Sequence, residues 1–161
     1  MVLWFNLLCL CVMLIKSPDS FYALTNNLYY INIYHKSGVL LYSYKFEKPV
    51  NKTDSAIWGN ILIGLNHILG EFIDKKDKID VLETKNFEIA VNYNNDYGFA
   101  VLAITNRNNK ILKRMMERFM NEFIVKYENE LNEIQDLNKL INMADFLETE
   151  EMVKRNFKIY L

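Results

Sequence analysis

The stretch that most constrains the fold is LYYINIYHKSGVLLYSYKF, residues 28–46. Two runs rich in aromatic and β-branched residues, 28–35 and 39–46, flank Lys36-Ser37-Gly38. Gly38 tolerates positive φ, so a short polar loop of this kind reads as a β-hairpin. With a two-residue period, Ile31 and Ile33 share a face with Tyr29, while Tyr30 and Tyr34 line the other. Both faces are then apolar or aromatic, and such a strand needs cover on both sides. The hairpin is expected at the centre of a covered sheet rather than in a solvent-backed meander.

The rest of the chain fits that demand. Pro49 and NKTD break the pattern, and Thr53 or Asp54 is the N-cap of a helix expected over 54–74. Ile57, Trp58, Ile61, Leu62, Leu65, Ile68, Leu69 and Phe72 recur there at helical spacing. Three short strands are expected over 79–83, 87–93 and 98–105, with turns at TKN and NNDYG. Phe87, Ile89, Val91 and Tyr93 alternate onto one face, whereas GFAVLAI is apolar throughout, as in a strand buried on both faces. A long amphipathic helix is predicted over 108–133, its stripe formed by Leu112, Met115, Met116, Phe119, Phe123, Tyr127 and Leu131. Helical pieces over 137–147 and 150–157 close the chain. The order β-β-α-β-β-β-α-α implies an α/β (α+β) fold: a five-stranded, mainly antiparallel sheet with helices on both faces.

The first twenty residues stand apart from this domain, which is expected over 24–161. VLWFNLLCLCVMLI, residues 2–15, is interrupted only by Asn6. As a helix it rises about 21 Å, short of the roughly 30 Å hydrocarbon core of a bilayer. The stretch reads as an uncleaved membrane-associating segment, an apolar arm packed on the domain, a start placed too far upstream, or a cleaved signal. Against a signal, Lys and Arg are lacking before the apolar run, and Phe21 stands where a small residue is wanted.

Several function classes are disfavoured. A net charge of −1 supplies no field for nucleic acid, so Tyr29, Tyr30, Tyr34, Tyr42 and Tyr44 read as core rather than as a base-stacking platform. The basic residues of KKDK and KILKRMMER are interleaved with acidic ones and read as solvated faces. Cys9 and Cys11, two apart, point away from each other on a helix and suit neither a disulfide nor a closed zinc site. His35 and His67 stand alone in sequence, and the five glycines form no phosphate-binding loop. No nucleophile–base pair can be assembled from isolated histidines, so no catalytic, cofactor or metal residue is assigned.

The order of elements, with IYHKSGVLLYSY as the first hairpin, resembles the longin-like family, a profilin-like sandwich related to roadblock domains. The resemblance covers about residues 28–127. Roadblock domains place a helix before the first hairpin, which residues 2–15 could imitate; two helices after the last strand favour the longin arrangement. The resemblance implies a non-enzymatic adaptor or regulator of Ras-superfamily small GTPases in membrane trafficking or signalling. The protein partners implied are such a GTPase, another longin or roadblock domain, a homodimer included, or a SNARE-type segment, in the cytoplasm with membrane contact through residues 2–15. The alternative is a membrane-associated or secreted structural domain of the same sandwich with no GTPase partner.

The helix over 54–74 offers the surface for such a partner. It carries no charge from Ser55 through Gly70, and its apolar side belongs on the sheet. The opposite side then presents Gly59, Asn60, Ile63, Gly64, Asn66, His67 and Gly70. A solvated helix face ordinarily carries Lys and Glu, which favour the helix more than Gly or Asn do, by up to about 1 kcal/mol per glycine. Small uncharged residues permit close backbone approach by a partner, or by the chain's own N-terminal segment.

Overall fold

The structure is a computed structural model that describes residues 4–7, 11–12, 26–46, 64, 80–83, 85, 87–135 and 142–161. Its strands are β1 (Leu28–His35), β2 (Leu40–Lys45), β3 (Val81–Glu83), β4 (Glu88–Asn94) and β5 (Phe99–Thr105). They form a single sheet in the order β2-β1-β5-β4-β3, every neighbouring pair antiparallel. After β5 come α1 (Lys110–Lys126), α2 (Glu128–Ile134), a 3-10 turn (Met143–Phe146), α3 (Thr149–Asn156) and a last 3-10 turn (Lys158–Tyr160). The fold is α+β, a five-stranded antiparallel sheet with several helices. The strand that reads as apolar throughout, β5, is buried at all seven positions and lies in the middle of the sheet.

Two bulges set which side chains share a face. Leu28 opposes Thr105 and Tyr30 opposes Ile104, so Tyr29 is an extra residue against β5. Ile33 opposes Tyr42 and Tyr34 opposes Leu40, which makes Leu41 the extra residue in β2. A bulge breaks the two-residue alternation. Leu28 accordingly joins Ile31 and Ile33 in one core, and Tyr29 packs with Tyr30 and Tyr34 in the other. Strict alternation places Tyr29 with Ile31 and Ile33; the bulge corrects that assignment. The expected alternation of Phe87, Ile89, Val91 and Tyr93 onto one face does hold in β4.

The first face carries the described helices. Ile31, Ile33, Leu41, Phe46, Phe99, Val101 and Ala103 meet Leu112, Met116, Phe119, Met120 and Phe123 of α1 and Leu131 of α2. Phe146, Met152, Val153 and Phe157 complete the layer. Phe123 is its hub: its ring centroid lies 5.4 Å from Phe99, 4.8 Å from Tyr127 and 5.7 Å from Phe146. The opposite face gathers Tyr34, Ile89, Val91, Ala100, Leu102 and Ile104, with Leu102 at 0% exposure. None of α1, α2 and α3 contributes to that cluster. The helix expected over it, residues 54–74, lies outside the described residues except at Gly64, which is helical.

The long helix predicted over 108–133 is broken in two at Tyr127, whose φ of −115° and ψ of 28° leave the helical region. Its ring is held by Phe123 and Phe146, and its hydroxyl accepts a bond from Thr149 Oγ1 at 3.1 Å. The helix starts at Lys110, two residues after the predicted 108. Asn109 caps it, accepting the Leu112 amide at 2.8 Å and satisfying one of the donors that a helix start leaves open. Of the piece predicted over 137–147, Met143–Phe146 is a 3-10 turn and residues 136–141 lie outside the described residues.

Candidate interaction surface

Of the seven residues assigned to the partner surface, Gly59, Asn60, Ile63, Asn66, His67 and Gly70 lie outside the described residues. Gly64 is described, helical and exposed. A methyl group built onto it would meet nothing within 4 Å. At this position, therefore, none of the described residues lies over the helix. The glycine faces open space, and a side chain placed there would project towards whatever approaches.

The described residues also hold three polar constellations that spacing alone does not reveal. The first is at the tip of the β1–β2 hairpin. The turn closes with His35 N–H donating to Val39 O at 2.9 Å and Gly38 N–H donating to His35 O at 2.9 Å. Lys36 N–H donates to Gly98 O at 2.7 Å, tying this turn to the β4–β5 turn. Gly38 and Gly98 sit at φ 92° and 67°, where side chains are disfavoured. At Gly98 a Cβ would also come within 2.7 Å of Lys36 Cδ. Within the same turn the His35 imidazole is 1% exposed; its Nδ1 accepts the Ser37 amide at 3.3 Å and lies 2.8 Å from Ser37 Oγ. With Nδ1 accepting, the ring proton belongs on Nε2, which is buried with no hydrogen-bond partner among the described residues. Burial, and secondarily the Lys36 charge, hold the imidazole below its ordinary pKa of 6.5.

The second constellation joins the start of β1 to the β5–α1 junction. Thr105 Oγ1 lies 2.7 Å from Asn26 Oδ1, 2.9 Å from Asn27 O and 3.1 Å from Arg107 O, three acceptors within reach of its one hydroxyl proton. Asn27 N–H donates to Asn106 Oδ1 at 2.7 Å, and Asn108 N–H to Glu88 Oε2 at 2.7 Å. The side-chain NH2 groups of Asn26 and Asn109 and the hydroxyl of Tyr160 are buried here without a partner at hydrogen-bond geometry among the described residues. They lie near enough to interact: burial raises the Tyr160 pKa while the two amides pull it back. Nothing in the spacing of these asparagines announces partners 79 residues away in sequence.

The third lies between α1 and α3. Asn156, 1% exposed, accepts Arg118 Nε at 2.7 Å and donates to Glu122 Oε2 at 2.8 Å and Met152 O at 3.0 Å. Arg155 reaches the same Glu122 oxygen at 2.8 Å, and that hydrogen bond is the main reason the carboxyl titrates below its ordinary 4.5. Beside it runs an open groove of about 500 Å³ lined by Glu122, Val125, Lys126, Glu148, Met152 and Arg155. Two ion pairs close within the groove, Lys126 with Glu148 at 2.6 Å and Arg155 with Glu122 at 2.8 Å, and Glu151 adds a third carboxylate to its lining.

Chemically these are structural arrangements. The His35 ring has Ser37 beside it, but the imidazole is sealed from solvent and no described carboxylate orients it, unlike a nucleophile–base pair open to substrate. Among the described residues no group of three or more His, Cys, Asp or Glu side chains is placed to hold a metal ion. No family model and no curated protein matches the sequence.

Proposed function

We propose that the chain is a non-enzymatic protein-interaction module, a longin-like adaptor that docks a Ras-superfamily small GTPase, or a second longin or roadblock domain, in membrane trafficking or signalling. The element order supports this reading: a Lys-Ser-Gly hairpin whose first strand pairs with the last strand of a three-stranded meander. The observation that carries it to a surface is Gly64, an exposed helical glycine with no described atom packed where its side chain would stand. A glycine in an exposed helix sacrifices about 1 kcal/mol relative to alanine. Close backbone approach by a partner gives that sacrifice a use. The uncharged run from Ser55 to Gly70 extends the same surface in sequence.

The test is a pull-down of small GTPases, loaded with GDP or with a GTP analogue, by the full chain and by a Gly59→Lys/Ile63→Lys double variant. Nucleotide-dependent capture by the parent chain and its loss in the variant are the expected results. Equal capture by both, or an unaltered oligomeric state if the partner is a second copy, overturns the assignment of this surface.

A further inference from the structure

The N-terminal segment carries an inference that does not depend on any GTPase. Residues 4–7 are helical, as are residues 11–12. Trp4 is 77% exposed, Phe5 69%, Leu7 56% and Val12 45%; Asn6 and Cys11 are exposed as well. Four successive residues at about 100° per residue sample every side of a helix. Since all four are exposed, no side of the helix at residues 4–7 is packed on the domain. That disfavours the arm reading where it can be tested.

Trp4, Phe5 and Leu7 are left uncovered on three sides of this helix, with Asn6 on the fourth, and such side chains call for a cover whose kind the pattern selects. A helix that docks in a protein groove has one apolar face and one polar face. Here the sequence from Val2 to Ile15 contains no charged residue and only Asn6 as a polar one. On a helix, such a run presents hydrocarbon in all directions, as suits a surrounding apolar solvent rather than a one-sided groove. We infer that Trp4, Phe5, Leu7 and Val12 enter the hydrocarbon region of a lipid bilayer and tether the domain to it. Fourteen residues, if helical throughout, would span about 21 Å of a roughly 30 Å core, enough to enter from one side and too few to cross. Likewise, no described helix is long and apolar enough to cross a membrane. With no Lys or Arg in the first fifteen residues, the attraction does not depend on anionic lipid.

Flotation of the full chain with phosphatidylcholine vesicles in 1 M salt tests this, alongside a Trp4→Glu/Leu7→Glu variant whose fold is checked by circular dichroism. The parent is expected to float with the vesicles and the variant to partition at least tenfold less. In a Trp58→Phe background Trp4 is the sole tryptophan, and its emission is expected to move to the blue on adding vesicles. A parent that stays at the bottom of the gradient overturns the inference. So does a stable lipid-free dimer in which Trp4 is already shielded, which would make a second copy the cover. A chain isolated from its cell that begins beyond residue 20 overturns it too, because the segment would then be a removed leader.

Discussion

Two buried polar sites show how differently the molecule treats its hidden hydrogen-bonding groups. Between α1 and α3, each side-chain polar atom of Asn156 has a partner, and the residue links Arg118, Glu122 and the Met152 carbonyl. In the β1–β2 hairpin, His35 Nε2 and Asn32 Nδ2 are equally buried but have none among the described residues, although Ser43 Oγ donates to Asn32 Oδ1 at 2.7 Å. A buried group is costly when orphaned and of modest net worth when paired. The helical contact is therefore a lock that loses stability when cut. The hairpin groups that are orphaned among the described residues carry that cost, and the hairpin has stability to gain from losing them.

The lock should give the largest effect. Asn156→Ala strips Arg118 and Glu122 of a shared partner and leaves the space of a buried amide. The expected loss is about 2 kcal/mol, read as a lower urea midpoint at unchanged m-value. A loss no greater than that of an exposed Asn→Ala control would mean that Asn156 locks nothing and that the contrast with the hairpin is false.

Acid titration separates the two sites by pH. His35 has its folded pKa depressed, so the unfolded chain takes up the proton first as pH falls below about 6.5. The stability that neutral His35 contributes is complete above that pH and declines as pH falls from 6.5 towards the folded value. Glu122 is also depressed, so its contribution is complete above its ordinary 4.5 and is lost as pH falls from there through its folded value. His35→Gln should flatten the stability profile just below pH 6.5 and spare the lower limb; Glu122→Gln should do the reverse. Thermal melts at closely spaced pH values measure this. An unchanged limb below 6.5 in His35→Gln would show that another group titrates there.

The contrast also explains what the sequence could disclose. The bounds of β1 and the buried run of β5 were legible because each is written in a local pattern: a β-favouring run closed by Lys36-Ser37-Gly38, and an unbroken apolar stretch. The break at Tyr127 was not, since Phe123, Tyr127 and Leu131 keep helical spacing across it and only the backbone angles mark the interruption. The Tyr29 bulge was hidden for the same reason; it changes a face without changing the residue types. The Asn26–Thr105 pairing joins residues 79 apart, and the Arg118–Asn156 pairing residues 38 apart. Neither leaves a periodic trace. Of the candidate surface, Gly64 alone falls among the described residues, where it is helical and exposed.

The smallest expected effect bears most directly on the orphaned side. Asn32 is 0% exposed in the central strand β1, opposite Ser43 on β2 and Leu102 on β5. Its one described side-chain partner, Ser43, is exposed and can turn to water when released. Asn32→Val removes a donor that has no partner among the described residues, strands no buried partner among them and places a β-branched side chain in a strand, where it is favoured. It also adds apolar surface beside Leu102, its neighbour across the ladder. The variant should be neutral to about 1 kcal/mol more stable, whereas an amide-to-aliphatic change at the fully paired Asn156 should be destabilising. If Asn32→Val instead costs as much as Asn156→Ala, the amide has a partner after all, and both buried sites belong to one class.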